Sequence, residues 1–398
     1  MTANISKVLS TNLATGHLAQ EGRSDSLCDV TIAEGGDAME HVAAGWSAIE
    51  DAGGIASPFQ SLAAARAAAT AHLAHGETPR IVVVRDRGRP VVIFPTVVGH
   101  AMGVPTIRFL GDPFVQYGDA IAAPQATTAH IESALAAAAD ETIASVAFFR
   151  RVRADAVVAG ILARSAATVS EDRSAFVDLQ ADLKLKSRHA RELRRLRRRL
   201  SEQGAVHFEI FQGMALNELL RETLEFKRHW LIERGLPSVF FGNPRWQNVL
   251  FSLAGRRCGQ AEMMMARLAI GGVTAATEIG FVDRRTWFAY MGALAPAFAQ
   301  LGPGHILMEE LIAWCRNSGL TTYDLLPPLQ PYKLALTAQA VPVCDYAVAL
   351  GLAGYPAIFA ARIAPTVKKL VAKAPLSLRR SFVRYSLGAV DNASALPL

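Results

Sequence analysis

Residues 262–326 carry the most structured text in the chain: 262-EMMMARLAIGGVTAATEIGFVDRRTWFAYMG-292, then 300-QLGPGHILMEELIAWCRNSG-319 and 322-TYDLL-326. Glu262–Ile270 and Thr274–Val282 read as strands joined through Gly271-Gly272, a pair suited to a two-residue hairpin turn. Asp283-Arg284-Arg285-Thr286 turns the chain again into a third strand, Trp287–Gly292. After Ala295-Pro296 comes Gln300-Leu301-Gly302-Pro303-Gly304, running straight into a predicted helix, His305–Asn317, with Leu307, Leu311, Trp314 and Cys315 on its apolar side. Gly319 caps that helix and Thr322–Leu326 reads as a short buried strand. A glycine loop opening a helix leaves backbone N–H groups aimed at one spot, and the helix dipole adds partial positive charge there. A pyrophosphate fits such a place without dedicated cations, although a plain structural turn reads the same way.

Upstream, strand Val206–Ile210 and helices Ala215–Arg234 and Arg245–Ala254 lead into this segment. The first half follows the same order of elements, with no residue-level repeat. Val30–Ile32 is a strand, Ala38–Asp51 a helix ended by Gly53-Gly54, and Ser57-Pro58 opens a second, alanine-rich helix to about His75. Strands Arg80–Arg85 and Pro90–Val98 flank the turn Asp86–Arg89, and Thr106–Leu110 is a third. A helix follows over 127–140, with short strands at 143–148 and 156–158. The strongest helix signal spans 174–203, with Leu185, Leu193, Leu196 and Leu200 on one stripe and arginines over the rest. Alpha and beta elements mixed with antiparallel neighbours define an α/β (α+β) chain. The boundaries read as a flexible tail over 1–27, lobes over 28–173 and 174–340, and an apolar and basic segment over 341–398.

With 398 residues, 51 % of them apolar, the chain is long enough for two cores. Cys28, Cys258, Cys315 and Cys344 show neither C-x-x-C pairing nor ligand spacing to histidine, which argues against a disulfide framework and against a metal site. The first 20 residues lack an apolar core of signal-peptide length, so a cytoplasmic location is expected. The formal charge of +6 is unevenly placed. Nine basic residues between Lys184 and Arg199 face only Glu192, seven between residues 346 and 390 face no acid at all, and the remainder is acidic. Two basic patches on an acidic body do not describe a nucleic-acid-binding protein, and no specific nucleic acid is expected as partner. The first patch is either a solvated helix face or a surface for phosphate or anionic lipid.

The text resembles the acetyltransferase family named for cellulose biosynthesis (BioF2-like), within the GNAT superfamily, over residues 28–340. The matching pieces in the first half are Trp46, Ser57-Pro58-Phe59-Gln60, Pro95, Phe109-Leu110-Gly111 and Tyr117-Gly118-Asp119. Further on they are Arg197-Arg198-Arg199-Leu200, Gly204, His229-Trp230, Ala275–Phe281, Gly302-Pro303-Gly304, Asp324-Leu325-Leu326 and Tyr332-Lys333. The resemblance implies two tandem GNAT-like lobes with largely antiparallel sheets, similar to Fem-type transferases. The second lobe would hold acetyl-CoA or another acyl-CoA at Gln300, Gly302, Gly304 and His305, and the first would shape the acceptor cleft with Tyr117 and Asp119. One departure is visible: the superfamily loop reads Q/R-x-x-G-x-G/A, and Gln300 stands one position too close to Gly302.

Acyl transfer needs a base for the acceptor proton, an oxyanion donor and an acid for the departing thiolate. Glu278 lies within an apolar strand, where a carboxylate is costly without a partner or a task, unless alternation turns it outward. Asp324 ends the buried strand after the loop helix, as a cleft residue or a turn aspartate. Lys333 is the only lysine between Lys227 and Lys368 in an arginine-rich chain, which suggests a point charge or titratable amine rather than a fork. Tyr332 is a candidate acid, and His229 a candidate base or a packing histidine. Trp230, Trp287 and Trp314 read as core, and Asp119, after Tyr117-Gly118, as an acceptor contact or a turn residue.

Ala347–Ala361 contains Gly351, Gly354 and Pro356 and reads as a broken buried helix. Arg362–Arg384 interleaves aliphatic and basic residues, which suits a helix on an anionic membrane surface or a tail folded on the acidic body. The leading expectation is an acyl-CoA-dependent N- or O-acyltransferase for a sugar, polysaccharide precursor or other small polar acceptor. The alternatives are an aminoacyl-tRNA-dependent Fem-like transferase and an inactive tandem-lobe adaptor.

Overall fold

A computed structural model describes residues 28–101, 103–181, 187–371 and 373–388. The tail expected over 1–27 and the start of the basic run (Lys184, Leu185, Lys186) lie outside these residues. The chain divides into two compact units, one reaching to Asp172 and including Pro342–Lys368, the other made of Arg173–Val341 and the residues from Lys369 on.

In chain order the first ten major elements are β1 (Cys28–Glu34), α1 (Ala38–Asp51), α2 (Leu62–Leu73), β2 (Thr78–Asp86), β3 (Arg89–Ala101), β4 (Val104–Phe109), α3 (Thr128–Ala138), β6 (Val146–Arg153), α4 (Ala159–Ser165) and β7 (Ala167–Asp178), with a two-residue β5 (Ile121–Ala122) before α3. Next come α5 (Ser187–Ser201), β8 (Val206–Gln212), α6 (Leu216–Arg234), α7 (Pro244–Leu253), a short β9 (Arg257–Cys258), β10 (Ala261–Ile270), β11 (Val273–Val282), β12 (Thr286–Leu294), α8 (Pro303–Asn317), β13 (Thr322–Asp324), α9 (Pro331–Leu336) and β14 (Ala340–Ala349). Helices α10 (Gly354–Val371) and α11 (Leu376–Gly388) follow. From β8 to β14 the order strand, two helices, three strands, helix, strand, short helix, strand repeats that from β1 to β7, as the sequence suggested.

The first unit's sheet runs β1-β2-β3-β4-β6-β14 and the second's β7-β13-β12-β11-β10-β8. In each, the pairs are antiparallel but for one, β4 with β6 and β12 with β13. The fold is thus mixed α/β with largely antiparallel sheets. Strand β2 is buried on both faces: Val82 and Val84 pack with Phe94, Phe109, Phe149 and Leu135 of α3, while Ile81 and Val83 pack with Trp46 and Ile49 of α1 and Ala65 and Ala68 of α2. In the second unit, Leu193, Leu196 and Leu200 of α5 lie with Leu307, Leu311 and Cys315 of α8 against Ala266, Leu268 and Ala276 of the sheet. Arg197 fixes the two helices together, forking to Glu309 at 2.9 Å and Glu310 at 2.6 Å.

Several expectations need correction. The stretch read as one helix over 174–203 opens as strand: Ala167–Asp178 is β7, and the buried Ala175 and Val177 show the period of two that the arginine-rich signal downstream obscured. The strand read at 156–158 is the turn into α4. The alanine-rich helix from Ser57 is broken into a 3₁₀ turn, Pro58–Gln60, and α2, whose N-cap Ser61 accepts from the Ala64 N–H. Ala347–Ala361 is not one broken helix. Its start completes β14, Gly351 and Leu352 lie in a turn, and the rest opens α10.

Candidate functional site

The parallel neighbours β12 and β13 pair only over Thr286–Phe288 and Thr322–Asp324. Beyond Phe288, β12 runs on to Leu294 along β11, while β13 gives way to a loop, so the two strands part. The end of β12 leads through the 3₁₀ turn Pro296–Leu301 to Gly302 and α8. Gly302 has φ of +71°, a conformation that glycine takes without strain, and a Cβ there would press on Leu196 at 3.2 Å. A Cβ at Gly304 would meet Leu294 at 3.0 Å. The first turn of α8 is therefore bare backbone close to β12, with Gln300 and His305 exposed beside it. A groove of about 370 Å³ runs along α8, lined by His305, Met308 and Ile312 together with Leu193 of α5 and Tyr332 and Leu336 of α9.

Strand alternation sends Thr277 and Glu278 to opposite faces of β11. The buried Thr277 hydroxyl lies 2.9 Å from that of Thr223 on α6. Glu278, on the α8 side, accepts from the Trp287 indole N–H at 2.9 Å and from the Tyr323 hydroxyl at 2.7 Å. Gly280 makes this possible: a Cβ there would meet the Trp287 ring at 2.2 Å, so the indole crosses the bare backbone to reach the carboxylate. Burial pushes the Glu278 carboxyl up to about 7, against the pull of the two hydrogen bonds and the Lys333 charge. Burial and that carboxylate hold the Tyr323 phenol well above its usual range and push Tyr332 up to about 12. A carboxyl that titrates near neutrality, beside two phenols that stay protonated, is an arrangement suited to proton transfer.

Lys333 does not present a free amine. It is 4 % exposed, and its Nζ donates to the carbonyls of Leu325 (2.9 Å), Leu326 (2.6 Å) and Pro328 (2.7 Å). Asp324 is buried and accepts at Oδ1 from the Leu326 N–H at 2.9 Å and the Ser174 hydroxyl at 3.2 Å, bonds that tie it to the loop after β13. Both residues hold the loop after β13, where Leu326 has φ of +55°. His229 is exposed on α6, the helix on the Thr277 face, and so is not brought to Glu278. In the first unit, the carboxylate of buried Asp119 spans the N–H groups of Ala120 (2.9 Å), Val157 (3.1 Å) and Val158 (3.3 Å) and is pushed up to about 7 by burial. Tyr117 is also buried, with the Arg153 guanidinium 4.8 Å above its ring.

Tyr323 was missed in the sequence, and Trp287 was read only as core. Lys227 was missed too: its Nζ donates to the Gly292 carbonyl on β12 at 3.0 Å, and burial lowers its amine to about 8. No cluster of three or more His, Cys, Asp or Glu able to hold a metal occurs among the described residues.

Residues 187–334, from α5 into α9, match the family described as acetyltransferase (GNAT) domain. No characterised protein matches the chain in sequence. Among solved structures, the C-terminal domain of a protein assigned as lysylphosphatidylglycerol synthetase from Agrobacterium fabrum is similar over 82 % of this chain and 95 % of that one, at 14 % identity and a TM-score of 0.53. FemX is 12 % identical over 73 % of this chain and 92 % of its own, with a TM-score of 0.48. A tandem GNAT protein from the clavulanic acid biosynthesis pathway is 11 % identical over 81 % and 99 %, with a TM-score of 0.47. The family match over residues 187–334 gives the second unit a GNAT acyltransferase-type fold.

Proposed function

We propose that the second unit transfers an acyl group from acyl-CoA, acetyl-CoA in the first instance, to an amine or hydroxyl of a small polar acceptor such as a sugar or polysaccharide precursor. The observation that carries this reading is one groove lined both by His305, from the bare first turn of α8, and by Tyr332, with Glu278 within electrostatic reach of that phenol. The α8 turn takes the pyrophosphate by its N–H groups and dipole. Glu278 accepts the proton of the attacking amine or hydroxyl through water, the new C–N or C–O bond forms as C–S breaks, and the Tyr332 hydroxyl donates a hydrogen bond to the departing sulfur. The thiolate then takes a proton from solvent. The sequence resemblance to the cellulose-biosynthesis-type acetyltransferases supports the sugar-like acceptor.

Calorimetric titration with acetyl-CoA and longer acyl-CoAs tests the donor. Gly304→Pro should abolish binding, because it removes one N–H of the α8 turn and forces Pro303 out of helical geometry. Tyr332→Phe should keep binding and lower turnover by roughly 10–100-fold. Unchanged affinity in Gly304→Pro would remove the donor assignment. The seven arginines of α5 favour a second reading, with an aminoacyl group delivered by tRNA. Salt-dependent tRNA binding without acyl-CoA binding would select it.

A further inference from the structure

Helix α10 presents two opposite apolar faces. One packs on the first unit's sheet, where Ala357 and Ile358 are buried against Val146, Ala347 and Ala349. Gly354 sits so close to the sheet that a Cβ would meet the Ser145 carbonyl at 2.2 Å. The other face meets solvent. Tyr355, Phe359, Ile363 and Val367 recur every four residues and are all exposed, Phe359 by 67 %, and Leu352 in the preceding turn is 89 % exposed. Four-residue spacing stacks these side chains into one ridge along a helix about 27 Å long. Scattered exposed apolar residues need no partner, but a contiguous ridge of this size marks an interaction surface.

The charge of the helix itself identifies what covers it. Gly354–Val371 carries Arg362, Lys368 and Lys369 and no acid, and Arg362 is exposed. A second copy of this chain would bring one basic ridge against another. An anionic phospholipid bilayer answers both features at once, with headgroup phosphates for the cations and acyl chains for the ridge. No helix among the described residues is long and apolar enough to cross a membrane, so this one lies in the plane of the surface.

We propose that α10 is a membrane-docking helix that seats Leu352, Tyr355, Phe359, Ile363 and Val367 in an anionic bilayer surface. Leu352, Tyr355 and Phe359 of this ridge precede Arg362, in the stretch that the sequence reading placed in a broken buried helix. The inference does not depend on the transfer chemistry proposed above.

The test is flotation of the full chain with phosphatidylglycerol-containing vesicles and with pure phosphatidylcholine vesicles. The protein should float with the anionic vesicles at low salt, stay behind with the neutral ones, and detach as salt is raised. The double variant Phe359→Ser, Ile363→Ser changes exposed positions, so it should keep the wild-type melting curve while its partitioning falls roughly 100-fold. Wild-type protein that ignores anionic vesicles at low salt overturns the proposal, as does a double variant that floats equally well. Sedimentation velocity supplies the remaining outcome: a wild-type dimer that the double variant dissolves would make the ridge an interface between copies and refute membrane docking.

Discussion

Replacing Lys333 with methionine should destabilise the second unit by about 4 kcal/mol. The ammonium is 4 % exposed and donates to three backbone carbonyls between 2.6 and 2.9 Å. Each of the three carbonyls left without a partner costs about 1–3 kcal/mol, roughly 6 kcal/mol together. Against these stands the cost of burying the ammonium itself, several kcal/mol, which the variant no longer bears. Methionine keeps the volume of the stem, so little of the loss comes from a cavity. Urea unfolding followed by tryptophan fluorescence reads this out, because Trp230, Trp246, Trp287 and Trp314 belong to the second unit and only Trp46 to the first. The second-unit transition should move to lower urea with its slope unchanged. Arginine at this position should not rescue, since a planar fork cannot replace a compact cation among three converging carbonyls. A loss below about 1 kcal/mol would refute the clamp. Full stability combined with lost turnover would return Lys333 to the chemistry as a titratable amine.

Glu278→Gln should leave acyl-CoA affinity intact and lower turnover by roughly 100-fold or more, and the wild-type rate should rise with pH through about 7 as the carboxylate forms. Folding linkage at the same residue has a definite sign. The folded carboxyl titrates near 7 against an ordinary 4.5, so its contribution is full below 4.5 and is lost as pH rises through 7. Glu278→Gln should therefore gain about 3 kcal/mol over wild type at about pH 8, a gain that disappears at about pH 4 in parallel urea titrations. Asp119→Ala orphans three N–H groups, those of Ala120 and Val158 buried and that of Val157 partly exposed, and should cost the first unit about 3 kcal/mol in denaturant without changing acceptor KM; a raised KM with full stability would make Asp119 an acceptor contact instead.

Much of the fold was legible because its strongest signals are local. Gly271-Gly272 and the flanking apolar strands place the hairpin, and Gly302-Pro303 places the start of α8, whatever surrounds them. The errors cluster where tertiary context decides. Strand β7 has an ordinary composition, and the arginine helix after it dominated any window that included both. Gly351, Gly354 and Pro356 interrupt the apolar run Ala347–Ala361 and read as a broken buried helix; only the packing of Ala357 and Ile358 shows which side of α10 faces inward. For the site, Glu278 was readable as a costly carboxylate in an apolar strand. Its partners were not, since Trp287 and Tyr323 come from other strands and reach it only through sheet register. Gly280 was the available clue: a glycine two residues on, on the same face of a strand, marks room for a large neighbouring ring.

The neighbours Tyr332 and Lys333 show how a buried and an exposed task are joined in one short helix. Successive helical residues diverge by about 100°, so they do not share one direction. Lys333 turns inward to tie down the loop after β13, and Tyr332, 49 % exposed, is left on the wall of the groove. Asp324 grips the same loop from its other end through the Leu326 N–H. The loop that separates β13 from α9 is thereby held at both of its ends, and α9 is held with it. In the proposed reaction Asp324 and Lys333 would act as positioning residues, their effect on turnover passing through the placement of the Tyr332 phenol, while Glu278 and Tyr332 would be the groups that meet the reacting atoms.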